Sequence, residues 1–286
     1  MKYTIGSDIF AVCKLLNISY SQLSEELNVA RSTVSRIVKE EIYPSDLILE
    51  TFYSFVYKNR FRKIQLNQLK SQFAKDQYQL VLFHGSKTVL EGNINLNHSR
   101  DDVDFGKGFY IGESYEQAAS YVYPFKQSSV YIIEFLKSQK LKIVEFDTSL
   151  EWMLLVSYYR GHLNAYKNSK TLTNILERVK DIDLIIAPIA DNNMYEIMNR
   201  FAKGEITDLQ ATSALSASGL GKQYVLKSDE ACFNAHIVNR LYLSAPERED
   251  IAKKNSENAL VSFDKARLAI QMYRGKGKYI EEILND

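Results

Sequence analysis

The sequence predicts a multi-domain protein: an all-helical N-terminal domain, then an α+β domain with a helical tail. Three observations carry this. Residues 1–57 space apolar side chains three or four apart (Ile9, Val12, Leu15 and Leu16; Leu23 and Leu27; Val34, Ile37 and Val38), as on a buried helix face. From Gln79 short apolar runs appear at 80–83, 130–135, 141–146, 184–189 and 224–226, as in strands buried on at least one face. Helical patterns at 115–123, 150–160, 170–179 and 194–203 lie among them, an order that suits an α+β domain. Residues 58–78, with Phe61, Ile64, Leu69 and Phe73 among polar neighbours, form a connecting helix. The α+β domain then spans 79–245, and residues 246–286 form one or two tail helices.

Composition sets the class. Of 286 residues, 25% are charged and 45% hydrophobic, as in soluble globular proteins. A formal charge of +1 provides no global attraction to nucleic acid or membrane, so any such binding needs a local patch. Cys13 and Cys232 stand 219 positions apart without metal-like spacing and read as reduced core thiols. His98, His162 and His236 form no metal-like group either, so no metal is expected. The N-terminus lacks the apolar stretch of a signal peptide and no 18-residue apolar run exists, which makes a cytoplasmic protein with no membrane partner the expectation.

In the first domain, Ser21 to Lys39 reads SQLSEELNVARSTVSRIVK. Ser21 is placed to cap a helix with Leu23 and Leu27 inside, Asn28 tolerates a left-handed turn, and Val34 and Ile37 fix a second helix. This resembles the helix-turn-helix of phage-repressor-like proteins. The resemblance implies that Arg31, Ser32, Thr33, Ser35 and Arg36 face a DNA operator, with a homodimer on two half-sites. Residues 1–77 hold eleven Lys and Arg against eight acids, a modest +3. A helical domain that dimerises or holds a partner antitoxin stays open beside DNA binding.

The second domain holds the densest signal. His84-Gly85-Ser86 closes an apolar run, Phe105-Gly106-Lys107-Gly108-Phe109-Tyr110 follows, and Tyr121 lies eleven residues beyond Tyr110. These motifs resemble the NAD-binding half of the ADP-ribosyltransferase fold of diphtheria-like toxins and poly(ADP-ribose) polymerases, over roughly residues 79–243. A closer likeness is to a bacterial family sharing HGS, DFGKGFY and a later I-x-x-P-x-A-D, here Ile185 to Asp191. The resemblance implies split mixed sheets and an enzyme that uses NAD as substrate. His84 would bond an adenosine-ribose hydroxyl, Gly85 the nicotinamide amide, and Ser86 would sit by the ribose. Tyr110 and Tyr121 would sandwich the nicotinamide, and Gly108 would shape the turn. Arg100, a guanidinium in the loop before the glycine turn, is placed either to pair with the pyrophosphate or to stay a solvated surface charge. Gln117 and Ala118 stand where the polymerases carry Lys and Ser.

The fold usually adds a glutamate on a late strand. Gln223, in Lys222-Gln-Tyr-Val-Leu, resembles that position with its charge removed. Glu196 is the rival, although Met194 to Phe201 has helical spacing. Asp104 and Asp191 are further acids, the first otherwise an exposed loop charge and the second a helix cap. Trp152 sits on an apolar face and belongs to the core. The resemblance thus implies mono-ADP-ribosyl transfer to an unspecified acceptor, in a toxin–antitoxin or phage-defence setting, with the DNA-binding part controlling its own operon. A domain that only senses NAD is the alternative.

Overall fold

The computed structural model describes residues 1–73, 78–97, 101–217, 219 and 221–285. Helices α1 (Ile5–Leu16), α2 (Tyr20–Glu26), α3 (Arg31–Val38) and α4 (Asp46–Lys58) enclose one core around Ile9, Leu23, Ile37 and Phe52. The cap of α2 differs from expectation. Ser19, not Ser21, accepts from the Gln22 amide, and Gln22 reaches back to Ser19 in a capping box. Asn28 takes the left-handed turn before α3 at φ 51°. Leu15, assigned to the core by its spacing, is exposed.

The connecting helix α5 (Phe61–Phe73) leads into a seven-stranded sheet. Its strands are β1 (Gln79–Ser86), β2 (Phe109–Gly112), β3 (Ser129–Leu136), β4 (Ile143–Glu145), β5 (Leu184–Pro188), β6 (Lys222–Leu226) and β7 (Ala235–Tyr242), in the order β4-β5-β6-β2-β1-β3-β7. Only β4 and β5 run parallel. In place of two separate sheets there is one, with a seam. Strands β1 and β2 share the single register pair Phe83↔Gly112, whereas β1 and β3 pair along eight positions.

Helices α6 (Tyr115–Val122), α7 (Leu150–Tyr159), α8 (Lys170–Val179), α9 (Asn192–Ala202), α10 (Asp208–Ser216) and α11 (Asp229–Phe233) connect the strands, and α12 (Ala245–Met272) and α13 (Ile280–Leu284) close the chain. Trp152 lies fully buried in the largest core, and Asp191 caps α9 by accepting from the Met194 amide at 2.8 Å. Both free cysteines are buried. No helix among the described residues is long and apolar enough to cross a membrane.

Buried polar groups join the helical domain to the sheet. Arg62 on α5 pairs with Glu247 on α12 at 3.1 Å, and Tyr115 on α6 donates to the same Glu247 at 2.6 Å. Burying these groups is tolerable because the two charges meet each other, Glu247 also accepts from the Tyr115 hydroxyl, and Arg62 also donates to Gln65 Oε1 and the Tyr242 carbonyl. Strand β7 lies outside the apolar runs, since Asn239 and Arg240 interrupt it. Here Arg240 donates to Ser129 Oγ at 3.0 Å and to Met1 O at 2.9 Å, and its guanidinium covers the Tyr3 ring. Partners from elsewhere in the chain make this polar segment a strand.

Candidate functional site

Alternation along β1 and β2 sends their side chains to two sides of the sheet. Phe83 and the Cα face of Gly85 meet α6; Tyr110 and Gln223 lie on that same side. Leu82, Phe109 and Ile111 pack on the other side, and His84 follows Leu82. Continuing the Phe83↔Gly112 register would put Gly85 opposite Tyr110, but the ladder stops first. The strands therefore splay at the histidine and glycine of the HGS motif.

His84 spans the gap. Its Nδ1 lies 2.6 Å from Tyr110 O, and its ring stacks on Phe109 with centroids 4.4 Å apart. A carbonyl only accepts, so Nδ1 carries the proton and Nε2 is left as an acceptor. Burial pushes the pKa of His84 down, against the opposing effect of the Tyr110 carbonyl, which keeps the ring neutral near pH 7. A neutral Nε2 is suited to a ligand hydroxyl. Behind it lies a cavity of about 500 Å³ lined by His84, Ser86, Gly108, Phe109, Tyr110 and the 88–95 loop, a size that suits a nucleoside-like ligand.

Four expected residues thus meet at one cavity: His84, Ser86, Gly108 and Tyr110. Gly85 stands against α6, where an added Cβ would lie 2.3 Å from Ala118 O. Only glycine permits that approach. Tyr121, on α6, is 61% exposed, with the Lys87 ammonium 5.7 Å from its ring centroid. The Tyr110 hydroxyl does not hang free. It donates to Gly106 O at 2.7 Å and accepts from the Phe105 amide at 3.0 Å, which fixes the ring. Gly106 turns the chain at φ 65°, a conformation suited to glycine. Arg100 lies outside the described residues, as does His98.

The other side of the seam holds a denser network. Asp104 is 4% exposed and Gln223 7%, so the exposed-loop expectation for Asp104 is overturned. Gln223 Nε2 donates to Asp104 Oδ2 at 2.9 Å and to Pro188 O at 3.0 Å. Asp104 Oδ1 accepts from Arg160 Nη2 and from the Tyr195 hydroxyl, both at 2.7 Å. Burial, reinforced by the Asp104 charge, keeps that tyrosine protonated well above its ordinary range. The loop bearing Asp104 is tied down by Lys227 Nζ, which donates to Phe105 O at 2.6 Å. Burial pushes the Lys227 ammonium down to about 8.

Glu196 lies exposed on α9, a helix, as its spacing implied, while Gln223 sits on β6 opposite Gly112. Gln117 has a structural role, in which its Oε1 accepts from the Ser114 amide in the capping box that starts α6. On α3, Arg31, Ser32 and Arg36 are exposed and Thr33 and Ser35 half-exposed, with Arg36 3.6 Å from Glu41. No group of three or more His, Cys, Asp or Glu residues able to hold a metal occurs among the described residues. Sequence reasoning missed Arg160, Tyr195 and Lys227. Only their charge or hydroxyl marked them, and their partners stand 56, 91 and 122 positions away.

A family model described as "Protein of unknown function (DUF3990)" matches residues 80–236. That stretch contains the HGS motif, the glycine turn, α6, the Asp104 network and Gln223, and excludes α1 to α5. No curated protein and no solved structure matches the chain. Because the matched stretch is more than half of the 286 residues, the chain belongs to the DUF3990 family.

Proposed function

We propose that the chain is an NAD-dependent mono-ADP-ribosyltransferase whose N-terminal helices bind operator DNA. The observation that supports this most is the splay of β1 from β2. It leaves His84 Nε2 as an acceptor on one side, and Tyr110 and Gln223 share the opposite side with Gly85 and α6. NAD fits such a seam with its adenosine half in the His84 cavity and its nicotinamide between Gly85, Tyr110 and Tyr121. The C1′–N1 bond then breaks with both electrons going to the ring nitrogen, so nicotinamide leaves neutral. The oxocarbenium at C1′ takes an acceptor oxygen or nitrogen, whose proton passes to solvent. Gln223 steadies the ribose hydroxyl as positive charge develops, without a full negative charge of its own, so turnover is slow and single units are transferred.

The stacking face gives the test. Replacing Tyr121 by alanine removes an exposed ring and should weaken NAD binding at least tenfold in a titration, with the melting temperature unchanged. Unchanged affinity contradicts the assignment. Labelled NAD in a host lysate, followed by nuclease or protease digestion, identifies the acceptor.

A second reading, NAD-sensing control of DNA binding, is supported by one contact. The Met1 ammonium donates to Leu90 O at 3.4 Å on the cavity loop, and Arg240 holds Met1 O. Under it, NAD changes the retardation of operator DNA in a gel. Arg31→Ala with Arg36→Ala abolishes retardation and flattens its salt dependence. Retardation that ignores NAD removes the sensing reading, and a chain with no sequence preference for DNA leaves partner binding ahead.

A further inference from the structure

Resting on the transferase reading, we infer that Asp104 is a positioning residue that turns Gln223 into an acceptor-only group, a working substitute for a carboxylate. A primary amide has two N–H donors and one carbonyl acceptor. Both Gln223 donors are consumed, one by Asp104 Oδ2 at 2.9 Å and one by Pro188 O at 3.0 Å. The reverse orientation would set Oε1 against a carboxylate and a carbonyl, so chemistry fixes the amide one way round. Oε1 then has no protein partner among the described residues, and it is not one of the sealed-off buried polar atoms without a partner. It therefore keeps some access to solvent, and the strand register puts Gln223 on the Tyr110 side of the sheet.

The charge on Asp104 contributes as well as its shape. A hydrogen bond to a carboxylate polarises the amide and makes Oε1 a stronger acceptor. Arg160 and Tyr195 occupy the other oxygen of Asp104, so the negative end turned toward Gln223 has one orientation. The 2′-hydroxyl of the nicotinamide ribose is the group whose proton such an acceptor takes in hydrogen bonding as C1′ becomes cationic. No proton is transferred and no covalent bond to Gln223 forms.

This reverses the simplest expectation for Gln223→Glu. A glutamate there sets its oxygens against Asp104 and Pro188 with no donor between them. It must share a proton with Asp104, which restores the donor, or turn away. Q223E should therefore release nicotinamide at least tenfold more slowly than wild type at pH 8 and recover toward acid pH. D104N should be at least tenfold slow at every pH, because its new amide forces Gln223 to flip and present a donor. The double variant D104N/Q223E should regain part of the rate at pH 8, with Pro188 O still left without its donor. In it the introduced asparagine keeps an acceptor for Arg160 and Tyr195 and gives the introduced carboxylate on β6 a donor.

The experiment is nicotinamide release and NAD titration on the full-length wild type and these three variants between pH 5.5 and 8.5. Melting curves at the same pH values accompany them. The result expected is loss in each single variant and partial recovery in the pair, with NAD affinity within about threefold throughout. The melting temperature of Q223E alone should also fall as pH rises. A wild type that releases nicotinamide, with a double variant no better than its worse parent, overturns the Asp104 assignment. A wild type that releases none removes the transferase reading first, and this inference with it.

Discussion

The two sides of the β1–β2 seam are built differently. On the Gln223 side, groups from the glycine loop, the residue after α7, β5, α9 and β6 are joined by hydrogen bonds inside the protein. On the His84 side, one bond to Tyr110 and one ring stack set the histidine, and a loop of Thr88, Val89, Glu91, Gly92 and Asn93 covers the rest. Polar groups fixed before substrate arrives suit a place where charge develops, since no reorganisation is needed at that moment. A lightly tied cavity suits recognition of a ligand part that does not react. On the proposed transferase reading, the Gln223 side governs rate, and the His84 side contributes to affinity alone.

The widest prediction breaks both sides at once. Gly85→Ala puts a Cβ 2.3 Å from Ala118 O, so α6 must move away from β1. Overpacking of this kind costs about 1–3 kcal/mol. We expect a lower melting temperature and loss of NAD binding together, and a variant that melts and binds like wild type would show that α6 has no part in the site. The next prediction separates the sides. His84→Ala should raise KM for NAD at least tenfold while leaving kcat within about threefold. A fall in kcat alone would move His84 to the reacting side.

The smallest expected effect is in pH. The folded-state pKa of His84 lies below the ordinary histidine value, so the fold favours the neutral ring. Its contribution to stability is fully present above the unfolded value of about 6.5 and is lost as pH falls through the lower folded value. Wild type should lose some melting temperature across that window, and His84→Gln should lose less. Parallel curves would mean that the ring is not held neutral.

How much of this is visible in the chain depends on where each partner lies. Strands β1, β3 and β5 are legible because both sides of each meet apolar neighbours, which gives apolar runs in Leu80–Phe83, Val130–Phe135 and Leu184–Ile189. Strand β7 is not, because Asn239 and Arg240 are satisfied by Thr4, Ser129 and Met1 from distant segments. The HGS motif and glycine turn are legible as local patterns. Burial of Asp104 is not, since Arg160 and Gln223 come from 56 and 119 positions away. Gln117 reads in the motif as a lost ligand contact, yet its capping bond to Ser114 spans only three residues. Ser114-x-x-Gln117 is itself a local capping signature, so that much of the helix start is written in the sequence.

On the proposed reading, the Gln223 side of the seam cleaves NAD. The most direct test is nicotinamide release from NAD by the full-length chain, measured at saturating NAD beside Gln223→Ala. The wild type should release nicotinamide slowly and the variant about 100-fold more slowly still, with the dissociation constant for NAD changed less than threefold. Equal release by the two proteins, or none from a wild type that binds NAD, would contradict that reading.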